Sequence, residues 1–235
     1  MRILLILVLM SVLRLAMRTL LPMLQRKVQD YKDIHDTTYT PEVSTIPDMP
    51  QPFGYKTGWL AIRDAEPMMV IRALGLKDRA KANWESGLTF AGSRDQVFVT
   101  PKVGDFVLVV GILDLFSNER KMDGLARHFR EMQYFVTHRV TEYHGWAKYR
   151  DGRLIRRYCY LGETGQVLHN YGGLTLDELR LGFDRFPTSD DCDWDNIIIP
   201  NEEDVLSIAA KWGVDTTFQK YTGGPGIGYL CTLPN

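Results

Sequence analysis

The spacing of apolar and polar residues changes period several times along the chain. In Thr57–Asp64, TGWLAIRD, Trp59, Ala61 and Arg63 fall on one side and Leu60 and Ile62 on the other, which is the period of a strand. Ala65–Leu76 follows with Met68, Ile71, Ala73 and Leu74 at helical spacing. Pro67 sits in its first turn, where a missing N–H costs no hydrogen bond, and Gly75 stands near its end. Lys77–Gln96 shows neither period and reads as irregular, with Trp84 as an anchor. Two Val-rich runs, Val97–Thr100 and Phe106–Gly111, are joined by Pro101–Asp105 and predict a hairpin. Asn118–Glu131 predicts a second helix, because Met122, Leu125, Ala126, Phe129 and Met132 recur at three- and four-residue steps.

Gln133–Tyr149 predicts one long strand, or two separated by a bend. Its hairpin partner is Arg153–Gly162, reached through Arg150-Asp151-Gly152-Arg153, and Asp-Gly is the strongest short hairpin signal. Gln166–Tyr171 returns as a third strand, which makes an antiparallel meander. After Gly173 the pattern loosens. Asn201 then caps a helix over Glu202–Trp212, with Glu202, Glu203 and Asp204 at its positive end. The tail TGGPGIGYLCTLPN reads as a turn or flexible end. The whole predicts an α+β fold, mainly antiparallel sheet built of hairpins and a meander, flanked by about three helices.

The first residues belong to a different class. Met1–Leu24, MRILLILVLMSVLRLAMRTLLPML, is an apolar helix with Arg14 and Arg18 on one face. Ile3–Leu13 alone is too short to cross a bilayer, which takes about 20 residues. Residues 1–24 therefore read as a membrane anchor or signal-like segment, with the arginines snorkelling to the headgroups. The basic residues Arg14, Arg18, Arg26 and Lys27 after the apolar run lean the chain towards the cytoplasmic face of the inner membrane. A periplasmic domain is the alternative. Residues 25–52 read as a linker, since four prolines deny it a long helix or a central strand. Residues 53–235 then form one globular domain.

Composition narrows the function. A formal net charge of -1 argues against nucleic acid as a partner. The three cysteines, Cys159, Cys192 and Cys231, are widely spaced and form no zinc pattern, which fits a reducing compartment. No cofactor motif occurs: Gly223–Gly228, GGPGIG, lacks the Lys-Ser/Thr of a phosphate loop and opens no helix.

Two stretches attract attention. THRVTEYHGWAKYRD, residues 137–151, holds His138, Glu142, His144 and Trp146, which share one face if the strand is regular. His138, Glu142 and His144 could then serve a metal-dependent or acid/base hydrolase. A structural or binding role is the stronger reading, because no distant segment supplies an obvious third ligand. For the same reason no metal site is assigned. SDDCDWD, residues 189–195, gathers aspartates without the order of a calcium loop. It reads as a solvated loop or as a surface for a basic partner, with Trp194 as anchor. A Cys159/His169 dyad is weighed and set aside, because Cys159 lies in an alternating strand and reads as a small core residue.

YKTGWLAIRD, ALGL, WESG, VFVTPKVGDFVLVVG, QYFVTHRVTEYHGWAKYRDGRLIRRYCYLGETGQVL and DVLSIAAKWGVD together resemble a widespread family of bacterial proteins without an assigned activity, over roughly Gly54 to Gly228. Such proteins resemble in kind the immunity proteins that accompany secreted toxins. The resemblance supplies no catalytic residues to carry over. No coherent catalytic set, a near-neutral charge and a broad sheet with aromatic residues point to another protein as partner, with no cofactor. The expected function is a membrane-tethered, non-enzymatic binding protein. Its partner-binding residues would be Glu142, His144, Trp146, Asp190, Asp191, Asp193, Trp194 and Asp195. A hydrolase and a structural envelope factor are the alternatives.

Overall fold

The computed structural model describes residues 42–93, 95–112, 115–189 and 197–234. The apolar segment 1–24 and most of the stretch 25–52 lie outside them. No helix among the described residues is long and apolar enough to cross a membrane.

Nine strands form one antiparallel sheet, in the order β2-β9-β3-β4-β1-β5-β6-β7-β8. They are β1 Gly58–Arg63, β2 Lys77–Ala82, β3 Gln96–Val99, β4 Phe106–Val110, β5 Glu131–His138, β6 Tyr143–Arg150, β7 Arg153–Leu161, β8 Gln166–Tyr171 and β9 Gly228–Thr232. The helices are α1 Pro67–Ala73, α2 Trp84–Phe90, α3 Glu119–Ala126, α4 Leu176–Arg180 and α5 Glu202–Lys211, with a 3-10 turn at Phe183–Arg185. The fold is α+β.

The alternation read from TGWLAIRD explains why helices cover both faces. Leu60 and Ile62 join Val107, Val109, Met132 and Tyr134 in a core closed by Val70 and Ile71 of α1 and Met122 and Leu125 of α3. Trp59 and Ala61 join Leu108, Val110 and Phe135 in a second core closed by Val205, Ile208 and Ala209 of α5. Each large side chain fully buried in this way contributes about 1.5–3 kcal/mol. The central strands β1, β4 and β5 are apolar on both faces because neither face meets water.

Three regions depart from the reading of the sequence. Lys77–Gln96 contains β2 and α2, not irregular chain. β2, KDRAKA, is the outer strand beside β9 and mostly exposed, so its side chains show no apolar period. The glycine-rich tail leads into β9, which is inserted between β2 and β3. Gly228 is required there, because a β-carbon would run into the Val99 carbonyl oxygen. Residues 43–52 are no free spacer: the Asp48 carboxylate accepts the Trp84 and Glu85 N–H groups at 2.6 and 3.0 Å, and Asp48 bridges Gly226. Asn201 caps α5 as the sequence suggests, with Asp204 completing a reciprocal capping box.

Candidate functional site

The 137–151 stretch is a hairpin. β5 ends at His138, the turn runs through Arg139–Glu142, and β6 begins at Tyr143. Glu142 holds the left-handed conformation with φ 49°. The turn reverses the chain, so Thr137 pairs with His144 and His138 with Tyr143. The shared face expected for a continuous strand does not form. His138 Nδ1 lies 3.0 Å from the Thr141 hydroxyl, a contact local to the turn, while Glu142 is exposed.

His144 is buried at 2% exposure, with Nδ1 3.0 Å from Thr137 Oγ1. The Thr137 hydroxyl donates its one proton to Glu202 Oε1, also at 3.0 Å. His144 must therefore donate from Nδ1 to that hydroxyl, which fixes its tautomer. Burial, the largest effect, and His138 lower the His144 pKa to about 4 against the opposing pull of Glu202. The result is a neutral histidine tying α5 to β5 and β6. Among the described residues no group of His, Cys, Asp and Glu could hold a metal ion. The hydrolase reading draws no support from this arrangement.

Trp146 is fully buried, so it and His144 offer no surface to a partner. Its indole Nε1 instead donates to Glu178 Oε1 at 2.8 Å. Arg156 Nε donates to the same oxygen at 2.8 Å, and Thr175 N and Oγ1 donate to Oε2 at 2.7 and 2.8 Å. The Arg156 guanidinium also reaches Asn170 Oδ1 and the carbonyls of Arg157, Tyr171 and Gly172. Both charged side chains are almost wholly buried, at 3% and 0% exposure. Trp146, Tyr158, Phe183 and Phe186 pack around them. This node fastens α4 to the sheet. The sequence carries its signal in RLIRRYCYL, where two charges interrupt an apolar strand.

Asp190, Asp191, Asp193, Trp194 and Asp195 lie outside the described residues. The chain on either side of them is firmly placed. Tyr158 OH donates to the Pro187 carbonyl at 3.0 Å, Asn170 Nδ2 to the Thr188 carbonyl at 2.9 Å, and Ile198 N to the Arg185 carbonyl at 2.9 Å. Pro187 and Thr188 are thus held against β7 and β8, and Ile198 against the 3-10 turn.

That end of the molecule is unusual. β8 closes the sheet and carries no charged residue. Around it Ile155, Leu168, Tyr171, Leu174, Leu176 and Leu179 are exposed by 37–70%. The opposite outer strand, β2, bears Lys77, Asp78, Arg79 and Lys81 and a register shift, the ordinary protections of a sheet edge.

On the α3 side of β8 lies a cavity of about 430 Å³, lined by Glu119, Asp123, Leu154, Arg157, Leu168, His169, Asn170 and Tyr171. Arg157, with 3% of its side chain exposed, binds Glu119 Oε1 at 2.7 Å and Asp123 Oδ1 at 3.1 Å. Tyr149 OH donates to Asp123 Oδ1 at 2.7 Å, and His169 Nδ1 lies 3.1 Å from Glu119 Oε1. Burial, the largest effect, and Arg157 lower the His169 pKa, opposed by Glu119 and the Phe116 backbone. A β-bulge between Cys159 and Tyr160 in the β7–β8 pairing leaves Leu168 as the extra residue, and both Leu168 and His169 line the cavity. Cys159 pairs with His169 across the strands but is buried in the core, as the sequence suggests. Sequence reading passed over Glu119 and Asp123, although their four-residue spacing puts them on one helix face. Comparison with family models, curated proteins and solved structures finds no match for this chain.

Proposed function

We propose that this chain is a membrane-tethered, non-enzymatic protein that recognises another protein through the surface of β8, α4 and the segment between them. Asp190, Asp191, Asp193, Trp194 and Asp195 fall in sequence between Thr188, which is held against β8, and Ile198, and exposed Glu142 lies next to the β7–β8 turn through the Gly162 N–H bond to its carbonyl. The observation that carries this reading is the contrast between the two sheet edges. Both edge pairings carry an irregularity, but β2 is charged, whereas β8 is uncharged and surrounded by exposed Leu, Ile and Tyr side chains. Apolar side chains grouped at an uncharged edge mark an interaction surface.

The partner class is a secreted toxin with a basic cleft, and the chain acts as its immunity protein by covering that cleft. Acidic side chains around an apolar centre speed association with such a cleft and select for it. The test is affinity capture with the full tagged chain, in mild detergent, from lysate of the source organism. Wild type and a Lys81→Ser control on β2 should retain one stoichiometric partner, and Leu176→Ser/Leu179→Ser should lose it. Capture that is absent, or equal in all three, would sink the proposal.

A further inference from the structure

We infer that the cavity between α3 and β8 receives an arginine side chain of the partner. This deepens the protein-binding reading and rests on it.

The charges come first. Glu119 and Asp123 set two carboxylates against one guanidinium, Arg157. His169 adds no charge at neutral pH, since its pKa is lowered. The cavity is therefore left one negative charge in excess. The geometry adds direction. Glu119 Oε1 and Asp123 Oδ1 are taken by Arg157, His169 and Tyr149. The two carboxylate side chains nevertheless remain 51% and 47% exposed. Two half-exposed carboxylates on one helix face offer acceptors to a cation with several donors.

The walls choose between cations. Leu154 and Leu168 line the cavity with apolar surface, and Tyr171 adds a ring 57% exposed. An arginine has the parts to match: an apolar stem, a planar fork of donors for two carboxylates, and a flat face that stacks on an aromatic ring. A lysine ammonium offers no fork and is more strongly hydrated. The cavity opens beside β8, so the arginine would enter at the rim of the apolar surface, where charged anchors set orientation and specificity.

The experiment titrates the isotope-labelled full chain with Nα-acetyl-arginine methylamide and follows the backbone amides of Leu168–Tyr171 by NMR. One side chain should bind with a dissociation constant on the order of 10 mM. The neutral isostere, acetyl-citrulline methylamide, should produce no saturable shift, and acetyl-lysine methylamide should bind more weakly. Asp123→Asn should weaken the arginine probe about tenfold, the loss of one charge-assisted contact. Tyr171→Ser, outside the ion-pair network, should weaken it severalfold without disturbing the fold. Equal binding of citrulline, or no saturable shift with arginine, would overturn the inference. The two readings fail separately. A captured partner that depends on Leu176 and Leu179, with no arginine binding, leaves the protein-binding reading standing and this one lost. Arginine binding without any captured partner would show a guanidinium pocket but overturn the partner as its source, and with it the inference as stated.

Discussion

Replacing Glu178 with alanine removes the one carboxylate that answers four donors. Arg156 would keep only Asn170 Oδ1 and backbone carbonyls as partners, at 3% exposure. An uncompensated buried charge costs about 3–5 kcal/mol. The Trp146 indole N–H loses its acceptor, worth about 1–3 kcal/mol, and α4 loses half of its capping box. These contributions share one site and are not additive, so the expected loss is about 4–6 kcal/mol. With a urea slope of roughly 2 kcal/mol per M, the unfolding midpoint should fall by about 2–3 M. Glu178→Gln keeps the volume and one acceptor, and should lose about half as much. The double change Arg156→Met/Glu178→Leu removes both charges, and should be less harmful than Glu178→Ala alone. A loss below about 1.5 kcal/mol for Glu178→Ala, within the range of ordinary substitutions, would refute the burial argument. So would a double variant as unstable as the sum of its parts.

Two further tests address the rest of the frame. His144 has a folded pKa of about 4 against its ordinary value of 6.5, so the unfolded chain takes up its proton first. Stability is full above pH 6.5 and is lost as pH falls towards 4, by about 3 kcal/mol in all. Urea midpoints measured from pH 7.5 to 4.5 should show this loss in the wild type and not in His144→Gln; parallel curves would refute it. At Gly58 a β-carbon would run into the Ile112 carbonyl oxygen, where β1 leaves β4. Gly58→Ala should therefore cost at least about 1–3 kcal/mol, read as a lower thermal midpoint, and an unchanged midpoint would show that this backbone can yield.

Much of the sheet was legible because its strands announce themselves locally. TGWLAIRD alternates, Asp151-Gly152 turns, and the β6–β7–β8 meander follows from both. What escaped is non-local. β9 is five residues of an apparent tail, and its place between β2 and β3 is set by pairing partners more than 100 positions away. β2 escaped because an exposed outer strand has no apolar face to reveal it. The site was misread for a related reason. His144 and Trp146 look like exposed polar and aromatic decoration, yet helices far along the chain bring in Glu202, which reaches His144 through the Thr137 hydroxyl, and Glu178, which accepts from Trp146. Periodicity records which side of a strand a residue occupies; it does not record what the opposite layer offers there.

Arg156 and Arg157 show how that limit bears on function. Consecutive strand residues point to opposite faces. Arg156 meets Glu178 of α4 on one face, and Arg157 meets Glu119 and Asp123 of α3 on the other. Two consecutive strand positions thus clamp a helix onto each side of the sheet, next to its outer strand. A pair as buried as Arg156–Glu178 is a weak source of net stability, since two apolar residues of equal volume would do as well or better. The better use of these arginines is geometric. α4 carries Leu176 and Leu179, α3 carries the two carboxylates, and β8 carries Leu168 and Tyr171 between them. A binding surface assembled from three elements keeps its shape only if those elements cannot slide, and directional charge-assisted bonds resist sliding where apolar contacts do not. The paired arginines would therefore hold the proposed recognition surface in shape although almost none of their own surface is exposed.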